Sequence, residues 1–490
     1  MLDTATAPAL RPAPSPTVPG EKAGDPQGTS PVSRHLAEFL AGVAFSDLPS
    51  VVIADTKLAV LDWFGSAMAG ALEPPAQMAQ AVVAGFGSSD EATVLPGTRS
   101  SALGAALANG VASHILELDD VHKGSTLHGA APIVPAALAV AERERSDGRA
   151  FLLAVALGYE GALRVGEAVN PSHYRFWHPT GTAATFGAAA AAGSLLRLDP
   201  RRMLDALGTA GTQAAGLWEF NADGAMSKHL HPGKAAFNGV LAADLARVGF
   251  TGATRILEGE RGFFPAMSAS HDAARVVDGL GTRWKVSENC YKLHSCCGHT
   301  HTAIDAALDL RAELDWLSQE ALGQIREIRI ATYGPGYEIV REPNPGTPYQ
   351  AKFSLAYVIA AALLEGRVGL EQFADDRFSP SGVTQAGIAA LLPRIRIDVD
   401  PEFTARYPEA WPARLQLALT DGRTMEAGSD YPRGNPENPV SLETLEAKAY
   451  ELIAPHYGDH LAQRITEVVR GLEDVPDMAA LMRTLVRPEA

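Results

Sequence analysis

The chain has 490 residues, 46% of them apolar and 20% charged, with a net charge of −16. That size and balance fit a globular protein of two or three domains with a large core. The acidic total argues against nucleic acid or an anionic membrane surface as a partner. Three cysteines in so long a chain exclude a disulfide framework and fit a reducing, cytoplasmic setting.

Residues 1–30 are rich in Pro, Ala, Gly and Thr, lack the apolar stretch of a signal peptide, and read as a disordered tail. No stretch reads as a membrane span, because the Ala-rich runs are broken by Gly and polar residues. From residue 31 to about 280 the periodicity predicts a helical domain. Ser46-Asp-Leu-Pro49 reads as a cap with proline near the first turn of a helix that runs through Leu58, Leu61, Phe64 and Met68. Further helices are predicted at about Ser101–Leu118, Pro135–Arg145, Arg149–Val169, Thr182–Arg197, Arg201–Leu217 and Ala235–Val248. Residues 281–436 change character. Ile325–Thr332, Arg394–Asp400 and Arg414–Thr420 alternate like strands, and Asp421-Gly422 turns the last of them into Arg423–Ala427 as a hairpin. Helices at about Phe353–Glu365 and Thr384–Leu392 interleave. Residues 437–490 return to a helical pattern and are expected to pack back on the first domain. The expected fold is mainly α: a large all-helical domain with an inserted smaller α+β lid domain.

Four histidines stand just before Ala/Gly-rich helical runs: His128, His178, His231 and His301. A helix N-terminus offers unpaired N–H groups and a partial positive charge, so a cation beside it makes an anion-binding corner. With Lys228 and Lys292 nearby in sequence, the four corners predict a pocket for a small polycarboxylate. Each carrying segment also has a plainer reading. His114-Ile-Leu-Glu117-Leu-Asp119-Asp120 reads as a charged helix end, or, from its His-x-x-Glu spacing, as part of a di-metal site. In Trp177-His178-Pro-Thr180-Gly-Thr182 either threonine can cap the next helix, while His178 alone could be a surface turn. Lys228-His-Leu-His231 suits a carboxylate clamp or a solvated lysine. Cys290 to His301 is dense enough in Cys and His to raise zinc, or a Cys nucleophile near Lys292, but its spacing fits no standard zinc pattern.

Taken together, these segments are recognisable. Asn109-Gly-Val-Ala-Ser-His-Ile-Leu-Glu-Leu-Asp-Asp120, Trp177-His-Pro-Thr-Gly-Thr182, Lys228-His-Leu-His-Pro-Gly-Lys-Ala-Ala236, Gly249-Phe-Thr-Gly252, the stretch from Lys292 through His301 to Asp305, and Lys352-Phe-Ser-Leu-Ala-Tyr357 occur in family order. Over about residues 33–470 the chain resembles the 2-methylcitrate dehydratase and cis-aconitate decarboxylase family (MmgE/PrpD). The resemblance implies a homodimer with a site between helical and lid domains that handles small polycarboxylates without metal or other cofactor. It implies His128, His178, Glu117 and Asp120 as the catalytic set. It places Lys228, Lys292, His231, His301, Thr180 and Cys297 on the substrate. Three departures stand out: Glu117 where the family often has Asp, Gly129 after His128 where Pro is usual, and Cys297 where the decarboxylases carry histidine. The last points toward dehydration or hydration of a 2-methylcitrate-like acid. The alternatives are decarboxylation of a cis-aconitate-like acid, epimerisation of a dicarboxylate, and a silent polycarboxylate-binding protein.

Overall fold

The computed structural model describes residues 31–313 and 323–486. The expected tail at 1–30 lies outside the described residues. The fold is mainly helical, with small sheets. No helix among the described residues is long and apolar enough to cross a membrane.

Apolar side chains gather into two large cores. The first is built by the helices Ser50–Gly70, Ala102–Ala112, Ala130–Arg143, Gly148–Val169, Ala183–Leu195, Pro200–Gly211 and Ser227–Arg247. Several of these are apolar all round, as expected of helices enclosed by others. In Ala183–Leu195 twelve of thirteen residues are buried. Helices Leu442–Tyr457, Asp459–Arg470 and Met478–Leu485 lie on this same core. Lys448 on the first of them reaches Asp62 Oδ1 and the carbonyl of Leu118, both at 2.6 Å, so the C-terminal region holds the segment that follows Ala112.

The second core lies under a four-stranded sheet. Its strand order is Ile395–Val399, Ile325–Thr332, Ala413–Leu419, Thr424–Ser429, the first pair parallel and the others antiparallel. In Ala413–Leu419 the alternate residues Ala413, Leu415, Leu417 and Leu419 are buried against helices His301–Glu313 and Leu355–Glu365, the period-2 pattern that predicts the strand. The hairpin at Asp421-Gly422 is present, with Gly422 at φ 93°. Two short ladders, Ala92–Val94 with Thr98–Ser100 and Phe378–Ser379 with Gly382–Val383, have no counterpart in the sequence reading.

Four helix boundaries differ from expectation in ways that matter for the site. The helix predicted over Ser101–Leu118 stops at Ala112. Ser113 Oγ donates back to the Asn109 carbonyl at 2.6 Å and accepts from Trp63 Nε1 at 2.7 Å, which pins the last turn by tertiary contact. His114 and Glu117 therefore do not share a helix face, and the carboxylates that follow do not end a helix. The helix predicted from Arg201 ends at Gly211, not Leu217. Those predicted from Pro135 and Ala235 begin earlier, at Ala130 and Ser227, each with a proline in its second turn. One missing hydrogen bond there is outweighed by the burial of the long helices around it. As a result His128 and His178 do precede helices, but His231 lies inside one and His301 is the first residue of another. Neither Thr180 nor Thr182 caps the helix from Ala183, whose N-cap makes no side-chain bond.

Helix Ser227–Arg247 meets Ala102–Ala112 backbone to backbone. A Cβ on Gly110 would sit 2.6 Å from Gly233 Cα, and one on Gly233 would sit 2.5 Å from the Leu107 carbonyl oxygen. Gly110→Ala is expected to cost about 1–3 kcal/mol in urea denaturation by forcing these helices apart. Gly42→Ala, with nothing within 4 Å of the added methyl, is expected to leave stability unchanged or slightly raised.

Candidate active site

Four stretches of chain converge on one small, partly open pocket. The segment after Ala112 brings Glu117 and His128, the turn before Ala183 brings His178, the start of helix Ser227–Arg247 brings Lys228, and the stretch after Cys290 brings Lys292, Cys297 and His299. The segment after Ala112 is held by a two-way backbone bridge between Val121 and Cys290, at 2.8 and 2.9 Å. Tyr174, Trp218, Phe353, Trp411, Val121 and Cys297 form the apolar side of the cavity.

Glu117 is the centre of charge. Its backbone lies in the left-handed region at φ 58°, an uncommon place for a residue with a side chain. Lys228 Nζ donates to Glu117 Oε1, and Lys292 Nζ lies 3.2 Å from Oε2 and 3.2 Å from the Glu117 carbonyl oxygen. All three side chains are buried. Burial by itself would raise the Glu117 pKa, but the two ammonium groups hold it well below the usual range, so the carboxylate stays ionised. Burial likewise opposes the charge on Lys292, and Glu117 and Asp119 outweigh it and raise that pKa. Lys228 also sits 4.9 Å from the centre of the Phe353 ring. An anion already paired to two cations is a poor proton carrier.

The histidines form a second layer. His128 Nδ1 faces the Asp120 carbonyl oxygen at 2.6 Å and Asp119 Oδ2 at 3.2 Å. A carbonyl oxygen can only accept, so Nδ1 carries the proton and Nε2 keeps its lone pair. Burial lowers the His128 pKa to about 4, against the opposing pull of Asp119, and the ring is neutral at pH 7. Asp119 also accepts from His114 Nδ1 at 2.7 Å. Burial would raise the Asp119 pKa, but the two imidazoles hold it well below its usual value. His178 Nδ1 meets His231 Nδ1 at 3.0 Å, and burial keeps both rings neutral.

The remaining expected residues lie outside the cavity lining. Asp120 accepts from Tyr159 Oη, from Asn289 Nδ2 at 2.8 Å and from the Ala130 N–H at 3.0 Å. It anchors the N-terminus of helix Ala130–Arg143 next to His128. Burial pushes its pKa up to about 7. Thr180 Oγ1 accepts from the His128 N–H at 3.1 Å and so supports that residue from behind. His231 backs His178. His301 faces the Cys296 carbonyl oxygen at 3.3 Å, with its ring edge-on to His294, away from the cavity.

The cysteines and histidines of the Cys290–His301 stretch do not gather into a metal-binding group among the described residues. Cys290 joins the backbone bridge to Val121, Cys296 Sγ lies 3.1 Å from Thr300 Oγ1, and His294 pairs with Asp305. Burial raises all three thiol pKa values, to about 12 for Cys290 and Cys296, which disfavours a thiolate nucleophile. The sequence reading passed over His114 and Asp119 inside a segment it singled out. It also passed over His299 and Phe353, which lie in stretches it quoted, and missed Tyr174, Trp218 and Trp411, for which it held no signal.

Residues 34–275 match the MmgE/PrpD N-terminal domain and residues 294–474 match the MmgE/PrpD C-terminal domain. The chain belongs to the MmgE/PrpD family. It is 28% identical to the cis-aconitate decarboxylase-like protein oryM of Aspergillus oryzae, across 93% of this chain and 97% of that protein. It is 28% identical to the human cis-aconitate decarboxylase, across 93% and 95%. A shorter match, 25% identical over 35% of each chain, is to the 2-methylcitrate dehydratase-like protein oryR of A. oryzae. Within this MmgE/PrpD chain the buried Lys228–Glu117–Lys292 cluster gives a direct test. Glu117→Gln leaves two buried ammonium groups facing each other and is expected to cost about 3–5 kcal/mol in chemical denaturation. Adding Lys228→Met is expected to restore a large part of that loss.

Proposed function

We propose that this MmgE/PrpD chain is a lyase for a small polycarboxylate, and that it removes water from a 2-methylcitrate-like acid by taking a proton from the carbon beside a carboxylate. The observation that carries the reading is the neutral His128, with its Nδ1 proton committed to the Asp120 carbonyl and Asp119, next to the Lys228–Glu117–Lys292 cluster. In this mechanism Lys228, Lys292 and His178 hold the substrate carboxylates. His128 Nε2 takes the α-proton, and the electron pair spreads onto the adjacent carboxylate, where the two ammonium groups meet the growing charge. Asp119 stabilises the imidazolium, as a carboxylate does behind a histidine base. The neighbouring C–O bond then breaks, and the hydroxyl leaves with that proton as water. The apolar wall of Trp218, Phe353 and Trp411 excludes solvent and strengthens these charge interactions.

A second reading is favoured by the relatives matched over nearly their whole length, which are named for cis-aconitate decarboxylation. In it the bond to a carboxylate breaks, carbon dioxide leaves, and a site acid protonates the carbon. The lid role of residues 281–436 belongs to the proposal in either case: opening would widen a pocket that is narrow here.

Incubation with alkylcitrates, citrate, cis-aconitate and iminodisuccinate, read by mass spectrometry in deuterated and ordinary water, separates the chemistries. Loss of 18 mass units, the mass of water, supports dehydration, and loss of carbon dioxide supports the second reading. Deuterium uptake without other change indicates epimerisation, and saturable binding without turnover indicates a silent protein. Once a substrate is found, His128→Ala is expected to lower kcat by about 10²–10⁴, while Lys292→Met lowers kcat and also raises KM.

The pH profile is a further test. Protonation removes the His128 lone pair, so kcat/KM should fall as pH drops through about 4, the value to which burial lowers this group. An acid limb centred near the ordinary imidazole value of about 6.5 would contradict the buried, neutral base.

A further inference from the structure

We infer that His114, His128 and His178 form a binding site for a divalent transition-metal ion of the zinc class, and that an ion bound there stops turnover. One ring nitrogen from each of these three buried residues lies within 4.8 Å of those of the other two. A tetrahedral ion with bonds of about 2.0–2.1 Å wants such nitrogens roughly 3.3 Å apart. Small side-chain rotations can close that gap. The rings already touch: those of His114 and His178 stack with centroids 5.5 Å apart, and His114 and His128 meet edge-on at 4.5 Å.

The partners on the far side of each ring set the orientation. His114 Nδ1 is held by Asp119, His128 Nδ1 by the Asp120 carbonyl and Asp119, and His178 Nδ1 by His231. His114 and His128 therefore have Nε2 left for a ligand, and His178 has it in the tautomer whose Nδ1 donates to His231. A carboxylate or carbonyl behind the other nitrogen is the support that metal-ligating histidines use, since it fixes the tautomer and makes the free nitrogen more basic. Asp119 does this for two rings at once.

The His114 Nε2 atom supplies an independent pointer. It is buried and has no hydrogen-bond partner among the described residues. A buried acceptor of this kind calls for a partner, and the dehydration scheme gives His114 no contact with the substrate. A metal ion between the three rings would be that partner.

The electrostatics permit a dication. Lys228 and Lys292 bring two positive charges close by, and Glu117 and Asp119 bring two negative ones. Three imidazoles suit zinc, nickel and copper better than magnesium or calcium. The fourth position would open on the cavity, to water or to a carboxylate oxygen. The other close group, His122 with Glu167 and Glu288, is less suited: Lys285 Nζ already lies 2.8 Å from Glu167 and 2.7 Å from Glu288.

The binding site stands on this geometry alone; the loss of turnover rests on the proposed role of His128, whose lone pair the ion would take. The test uses full-length protein stripped with a chelator and titrated with cobalt(II), then with zinc counted by elemental analysis. The expected result is one ion per chain, with the visible bands of four-coordinate cobalt and no thiolate charge-transfer band. His114→Phe should abolish binding, and Asp119→Asn should weaken it by about 10–100-fold while all three rings remain. Should His114→Phe not fold, His178→Gln replaces it. No stoichiometric binding, unchanged binding in a folded His114→Phe, or a thiolate band lost in Cys297→Ser overturns the site. Stoichiometric binding with undiminished turnover overturns the inhibition and the role given to His128, and leaves the site standing.

Discussion

A buried carboxylate shared by two buried lysines governs this molecule. Glu117 lies in a left-handed backbone conformation, reached by Lys228 from one helix and by Lys292 from a segment 175 residues away along the chain. Two ammonium groups without that anion would each face a large desolvation penalty and mutual repulsion. With it the two lysines and the carboxylate form one buried ion cluster. An anion entering the cavity meets preorganised cations, and the low surrounding polarity makes their pull on developing charge stronger than it would be in water.

The neighbouring carboxylates divide their tasks by environment. Asp119 meets imidazole nitrogens and stays ionised behind His114 and His128. Asp120 faces a tyrosine hydroxyl, an asparagine amide and a helix N-terminus, and fixes the helix on which the floor of the site rests. Adjacent in the chain, they reach different sets of partners. That segment can turn so sharply because the C-terminal helix Leu442–Tyr457 and the Val121–Cys290 bridge hold it. The C-terminal region therefore bears on the site without lining it.

The strands of the second core were legible because alternation is a local property: Ala413–Leu419 and the Asp421-Gly422 turn depend on nearest neighbours alone. His128 and His178 were legible because helices follow them closely. The path of residues 113–120 was not. His114, Ile115, Leu116 and Glu117 continue a helical pattern, and the stop comes from Ser113 contacting Trp63, fifty residues away. That one boundary hid the pairing of His114 with Asp119 and put Glu117 on a helix end. The proline of Pro232 misled in the other direction, suggesting a helix start where the helix is already under way. The aromatic wall was invisible for a similar reason: Tyr174, Trp218, Phe353 and Trp411 come from four separate stretches and carry no local pattern.

The central claim is that buried cations organised by Glu117 hold a substrate carboxylate against His128. A crystal structure with a non-reacting tricarboxylate tests it most directly. The account predicts a carboxylate oxygen within hydrogen-bonding distance of Lys228 Nζ or Lys292 Nζ, with the reactive carbon facing His128 Nε2. A tricarboxylate bound outside this cavity, or bound inside it with its carboxylates against the Trp218 and Trp411 wall, would contradict it.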